Sequence, residues 1–232
     1  MRTASLFTDE PPAKPPSTMQ VVEQLRDADE DFEWYPTTRR MVEVVSRNID
    51  KDYGAIMDIG AGDGRVLAML AEKCTHATLY AIEKSPILLQ QQPEAVVPVG
   101  TEFFEQDLMS LPVDVIFCNP PYSQFGAWAS RIIETAHAHK VFLVLPQRWK
   151  ESAEIKAALK ARGATARTIH EDNFLDAERC ARGVVHIVRI DLGDQETRHY
   201  RREPEDPFDR ERGDDGVLGR RVHRRPEGRR RA

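Results

Sequence analysis

The chain predicts an α/β fold: a doubly wound, mostly parallel seven-stranded sheet with helices on both faces. Three observations predict it. Short apolar runs bounded by turn residues recur between residues 55 and 192. Amphipathic segments of helical period alternate with them. The runs end at a carboxylate or an amide beside glycine or proline. Strands alternating with helices in this way pack as a parallel sheet covered on both sides.

The elements follow in order. Residues 1–28 carry Pro11, Pro12, Pro15 and Pro16 among polar residues and read as a disordered or loosely attached tail. Residues 29–192 read as one domain. Its first helix starts after Pro36 and Thr37 or Thr38, with Met41, Val44, Val45 and Ile49 at helical spacing. "AIMDIG" (55–60) is a buried strand and "GRVLAMLAEK" the helix after it. "TLYAIE" (78–83) is a second strand, and "SPILLQQQ" a helix with Pro86 in its first turn. "TEFFEQD" (101–107) is expected as the third strand and "VDVIFC" (113–118) as the fourth. "FGAWASRIIETAHAH" is helical, "KVFLVLP" a fifth strand, and "SAEIKAALKARG" a helix closed by Gly163. "TARTIH" and "GVVHIVRIDL" form a final antiparallel pair.

Residues 193–232 lose all apolar periodicity and form a charged, Arg-rich tail. From residue 198 onward, twelve arginines face eight acidic residues, although the whole chain has a net charge of -5. The tail either touches phosphate backbones or is a solvated segment with no specific role. No apolar run is long enough to span a membrane, and the N-terminus does not read as a secretory signal. Cys74, Cys118 and Cys180 are widely spaced and form no C-x-x-C pair, which argues against a disulfide framework or a cysteine-rich zinc site. Reduced, cytoplasmic life is expected, with no metal.

In doubly wound sheets, ligands bind beyond the carboxyl ends of the strands. The first strand runs into "DIGAGDGR". Gly60, Gly62 and Gly64 allow a tight turn and close backbone approach, but their spacing departs from the dinucleotide G-x-G-x-x-G. Asp58 before the loop would repel a pyrophosphate and suits an ammonium group. Glu83 ends the second strand, where a carboxylate accepts from both hydroxyls of a ribose; the alternative is a surface glutamate. Asp107, followed by Leu108, either accepts from an exocyclic amine or caps a turn. The fourth strand stops at Asn119-Pro120-Pro121-Tyr122. The Asn119 amide oxygen and the Pro120 carbonyl offer two acceptors held still by proline. A planar amine donating to both becomes a better nucleophile, and Tyr122 can lie flat against its ring.

With these four ends, the sequence resembles the class I S-adenosylmethionine-dependent methyltransferases. Within them it resembles the amino-methylating branch that includes DNA adenine-N6 methyltransferases. "DIGAGDG" is similar to the cofactor loop of that family, "AIEKS" to its ribose-binding acidic motif, "EQDLM" to its adenine-binding motif and "NPPY" to its catalytic tetrapeptide. The order, cofactor loop before "NPPY" with "EWYPTT" ahead of both, resembles the gamma arrangement, and "EWYPTT" followed by this domain resembles methyltransferases found in phage and mobile-element genomes. The resemblance implies S-adenosyl-L-methionine as cofactor, contacted by Tyr35, Pro36, Thr37, Asp58, Gly60, Gly62, Glu83, Asp107, Leu108 and Asn119. It implies that Asn119, Pro120, Pro121 and Tyr122 carry the chemistry. Phe174, in "EDNFLDAERCARGVVHIVRI", either stacks on a target base opposite Tyr122 or is a core residue. Arg179 and Arg182 either contact phosphates or face water. The implied partner is nucleic acid, DNA first, with the base flipped out of its stack.

One departure stands out. About forty polar residues follow Leu192, where site-specific relatives carry a large recognition domain. Recognition is then loose, or comes from loops and the arginine tail, or from a specificity partner. The rival expectations are methylation of ribosomal RNA guanine or of a protein glutamine, a non-catalytic nucleic-acid-binding accessory, and a dinucleotide oxidoreductase.

Overall fold

A computed structural model describes residues 16–192 of the chain. The expectations for residues 1–15 and for the Arg-rich segment 193–232 lie outside the described residues. Seven strands form one sheet in the order β3-β2-β1-β4-β5-β7-β6. They are β1 (Ala55–Ile59), β2 (Thr78–Ile82), β3 (Val96–Gly100), β4 (Val113–Cys118), β5 (Ala138–Pro146), β6 (Thr165–Phe174) and β7 (Ala181–Asp191). The first five strands run parallel to one another, and β7 runs antiparallel to both β5 and β6.

Alternation along the central strands feeds two cores. On β1 and β4, Met57, Ile59, Ile116 and Cys118 face one side. They meet Ala129, Ile132 and Ile133 of α5 (Phe125–Thr135) and Ile155 and Ala158 of α6 (Ala153–Arg162). Ile56, Val115 and Phe117 face the other side. They meet Met41, Val42 and Val45 of α2 (Arg39–Asn48) and Val66, Leu67 and Leu70 of α3 (Arg65–Ala71). A period-two pattern buried on both faces is what a parallel sheet between two helix layers requires. The helix ends follow local chemistry. Thr38 caps α2 through Met41 N–H at 3.3 Å, Ser152 caps α6, and Gly163 closes α6 in the left-handed conformation.

Two expectations fail. Residues 16–28 are not a loose tail: α1 (Thr18–Asp27) starts with a capping box in which Ser17 and Gln20 satisfy each other's backbone. Its Val21 and Leu25 pack with Leu88 of α4 (Pro86–Leu89). The third strand is Val96–Gly100, not 101–107, where Phe103–Glu105 form a single 3-10 turn. Pro98 obscured the strand. It is tolerated because β3 is an edge strand and its missing donor breaks no ladder inside the sheet.

Candidate active site

The register brings three strand ends to one level. Ile59 pairs with Ile82 on one side and Cys118 on the other. Gly60, Glu83 and Asn119 are each the next residue and leave the sheet together, at the point where the strand order reverses. A cavity of about 370 Å³ opens there. Asp58, Gly60, Glu83 and Asn119 line its sheet side, and residues 101–104, Trp128 and residues 30–37 line the rest.

The glycine loop turns through positive φ at Gly60 (75°) and Gly62 (57°). Gly60 and Ala61 both donate to the Ile82 carbonyl, at 2.8 and 3.1 Å. Gly62 N–H donates to Glu83 Oε2 at 2.7 Å, and a Cβ there would strike the Trp34 ring. Gly62 therefore shapes the loop from beneath Trp34, outside the cavity lining. Glu83 is buried. Its Oε1 accepts from Ser85 N–H at 2.8 Å, and burial still pushes its carboxyl above the usual range. Each oxygen keeps further lone-pair capacity for a ligand hydroxyl.

Asp58 is 1% exposed, and its Oδ1 has no hydrogen-bond partner. Burial first, then repulsion from Glu83 and Asp63, hold its carboxyl well above the ordinary carboxylate value. A buried carboxylate without a partner is costly, and a cationic ligand relieves that cost. Cys118, on the neighbouring strand, is fully buried. Burial and the nearby Asp58 push its thiol up, so it remains protonated.

Asn119 is oriented from upstream. Its Nδ2 donates to the Tyr35 carbonyl at 2.9 Å and to Thr37 Oγ1 at 3.3 Å. The donor side is thereby used, and the acceptor Oδ1 is buried without a partner. Pro121 lines the cavity, while Pro120 and Tyr122 lie outside its lining. Tyr122 is parallel to Tyr35, with centroids 6.2 Å apart and planes 7° apart. Its hydroxyl is buried and unpartnered, and burial raises its phenol pKa.

Asp107, Leu108 and Phe174 also lie outside the cavity lining. Asp107 is exposed, and its carboxylate accepts from Met109 N–H at 3.0 Å and from Ser110 Oγ. The Ser110 bond is the main reason its carboxyl sits below its usual value. It caps a turn because the third strand ends seven residues earlier. Leu108 is a core residue. Phe174 is 1% exposed and meets Tyr122 edge-on (64°), so the two rings do not face each other across a slot.

The cavity recruits residues that sequence reasoning missed. Glu102 follows the true end of β3 and pairs with Lys84 at 2.9 Å. Phe103 packs against Trp128 with centroids 4.6 Å apart. The signal was the apolar run 96–99 followed by Gly100-Thr101-Glu102. Trp34 adds its indole above the glycine loop, with the Arg65 guanidinium 5.9 Å from its ring.

Residues 36–143 match the family model described as the methyltransferase small domain. A 95-residue stretch is 30% identical to the release factor glutamine methyltransferase of Lactococcus lactis subsp. lactis (strain IL1403). That match covers 39% of this chain and 35% of the relative, so the chain spans about a third of the relative's length. The fold is shared with the 23S rRNA methyltransferase ErmE at 12% identity and a TM-score of 0.55, covering 72% of this chain and 75% of that one. It is also shared with a methyltransferase from Pyrococcus furiosus at 19% identity and a TM-score of 0.52, covering 76% and 98%. The fold is the Rossmann-like methyltransferase fold. The matched segment is less than half of the chain, and the likeness is to that domain and to that fold. Among the described residues, no helix is long and apolar enough to cross a membrane.

Proposed function

We propose that the protein is a cytoplasmic S-adenosylmethionine-dependent N-methyltransferase acting on an exocyclic amino group, and that its substrate is N6 of adenine in DNA. The observation that carries this reading is Asn119: its donor is fixed by Tyr35 and Thr37, and its acceptor is buried and unpartnered at the cavity that Asp58 also lines.

The residues suit the cofactor. Asp58 supplies buried negative charge for an ammonium group, Glu83 accepts from ribose hydroxyls, and Phe103 with Trp128 offers an apolar flank for a nucleobase. Gly60 brings backbone close to the ligand. S-adenosylmethionine supplies a methyl group activated on a sulfonium. The chain's own part is to place the acceptor amine. Asn119 Oδ1 accepts a hydrogen bond from the amine, frees its lone pair from the ring and stabilises the positive charge that grows on nitrogen. In the transfer the amine nitrogen would form the new N–C bond as the S–CH3 bond breaks, the cofactor would leave as its neutral thioether, and the nitrogen would then lose a proton to water. The Tyr35 ring lines the cavity and packs against Tyr122 and Phe174, with centroids 6.2 Å apart. An aromatic ring in the lining favours a flat ring over an open-chain amide.

A second reading is methylation of a protein glutamine amide. The 30% identity to a release factor glutamine methyltransferase favours it. The test offers labelled S-adenosylmethionine with duplex DNA, ribosomal RNA and release factor in competition. Label in DNA, recovered as N6-methyladenine, is the expected result. Label in release factor alone establishes the second reading, and label in none removes the enzyme reading.

A further inference from the structure

Residues 30–37 form a strap along one wall of the cavity, with Trp34 and Tyr35 packed against core residues and Pro36 and Thr37 buried. Asp29 and Glu33 take positive φ (58° and 56°). Its other attachments are polar. Glu30 accepts from Ser85 Oγ at 2.7 Å, and Glu33 accepts from Ser123 N–H at 3.0 Å. The strongest attachment comes from the β6–β7 loop. Arg179 donates to Asp31 Oδ1 at 2.6 Å and Oδ2 at 2.8 Å, and to the Trp34 carbonyl at 2.6 Å. Its guanidinium also lies 4.3 Å from the centroid of the Tyr35 ring. Its side chain is 13% exposed, so it does not face water. A two-pronged arginine–carboxylate contact, largely withdrawn from solvent, fixes geometry as well as charge.

We propose that Arg179 is a positioning residue that latches the strap over the cofactor cavity and so ties cofactor binding to the order of the 175–180 loop. This rests on the methyltransferase reading. The strap carries Trp34 above the glycine loop and the Tyr35 carbonyl that orients Asn119. Arg179 touches neither the loop nor Asn119; it acts through residues 31–35. Because binding couplings are reciprocal, a cofactor that closes the strap also orders the 175–180 loop.

The test uses the full chain, with S-adenosylmethionine as the probe. Calorimetry at a temperature well below melting compares wild type, Arg179→Ala, Arg179→Lys and Asp31→Asn. Arg179→Ala is expected to bind about tenfold more weakly, the change that about 1.4 kcal/mol produces. Arg179→Lys keeps the charge but loses the fork and falls between the two. Adding Asp31→Asn to Arg179→Ala costs little more, since both changes open the same latch. Hydrogen exchange in residues 175–180 slows when the cofactor binds wild type and does not slow in Arg179→Ala. An Arg179→Ala protein that melts earlier yet binds within twofold of wild type overturns the latch and leaves the function standing. Wild-type protein that fails to bind S-adenosylmethionine overturns both.

Discussion

The two sides of the cavity are built on opposite principles. The sheet side is rigid and incomplete. Asp58 and Asn119 stand at the ends of buried strands, each with a carbonyl-type oxygen that has no partner. The strap side is irregular and complete: its carboxylates and carbonyls are engaged by Arg179, Ser85, Ser123 and Asn119. Polar groups left unpaired in a well-packed place mark where a ligand must supply the partner. Polar groups paired along an irregular segment mark what holds that segment in place. On the proposed function the chemistry lies on the sheet side, and on the proposed latch the closure lies with the strap.

Breaking the sheet side has the largest effects. Asn119→Ala removes the oriented acceptor. Methyl transfer is expected to fall by about a hundredfold or more, with cofactor affinity changed only severalfold. Rate constants and calorimetry on the same preparation check this split.

Asp58→Asn separates function from stability. Cofactor affinity falls by at least about tenfold, as expected when a charge partner is lost. The ligand-free variant is more stable than wild type at pH 7. The sign follows from the raised native pKa. The native state holds the Asp58 proton more tightly than the unfolded chain does. Ionisation therefore costs stability as pH rises from the unfolded carboxylate range, about 3.9, through the raised native value. A gain of about 1 kcal/mol moves the melting temperature by roughly 2–4 °C in a chain of this size. Melting curves between pH 4 and pH 8 check this, with the difference shrinking toward pH 4.

Smaller effects sharpen the boundary of the site. Trp128→Ala opens the flank against Phe103, and a severalfold loss of cofactor affinity is expected by calorimetry. Asp107→Ala changes it by less than about twofold, because that carboxylate is exposed and occupied within its own turn. A larger loss for Asp107→Ala would redraw the adenine end of the cavity.

Much of the sheet side was legible in the sequence because its residues are contiguous with strands. Asp58, Glu83 and Asn119 follow from apolar runs and the rule that ligands sit at strand ends. Asp107 was misplaced for a physical reason. Phe103 and Phe104 favour strands, and Pro98 disfavours them, but edge position tolerates Pro98 and the aromatics serve the cavity wall instead. Phe174 needed a burial that no local pattern encodes. The strap was hardest to read. Its structure depends on Arg179, some 145 residues away from Trp34, and no periodicity links the two. The Ser17–Gln20 capping box ahead of Val21 and Leu25 was readable but stood next to a proline-rich stretch.

The central claim is that Asn119 presents an acceptor to the amine of a nucleobase that receives a methyl group. Mass spectrometry of nucleosides from the DNA of cells expressing the protein tests it most directly, beside cells expressing Asn119→Ala. N6-methyladenine in the first culture and its loss in the second is the predicted result. N6-methyladenine absent from both, or equal in both, would contradict the account.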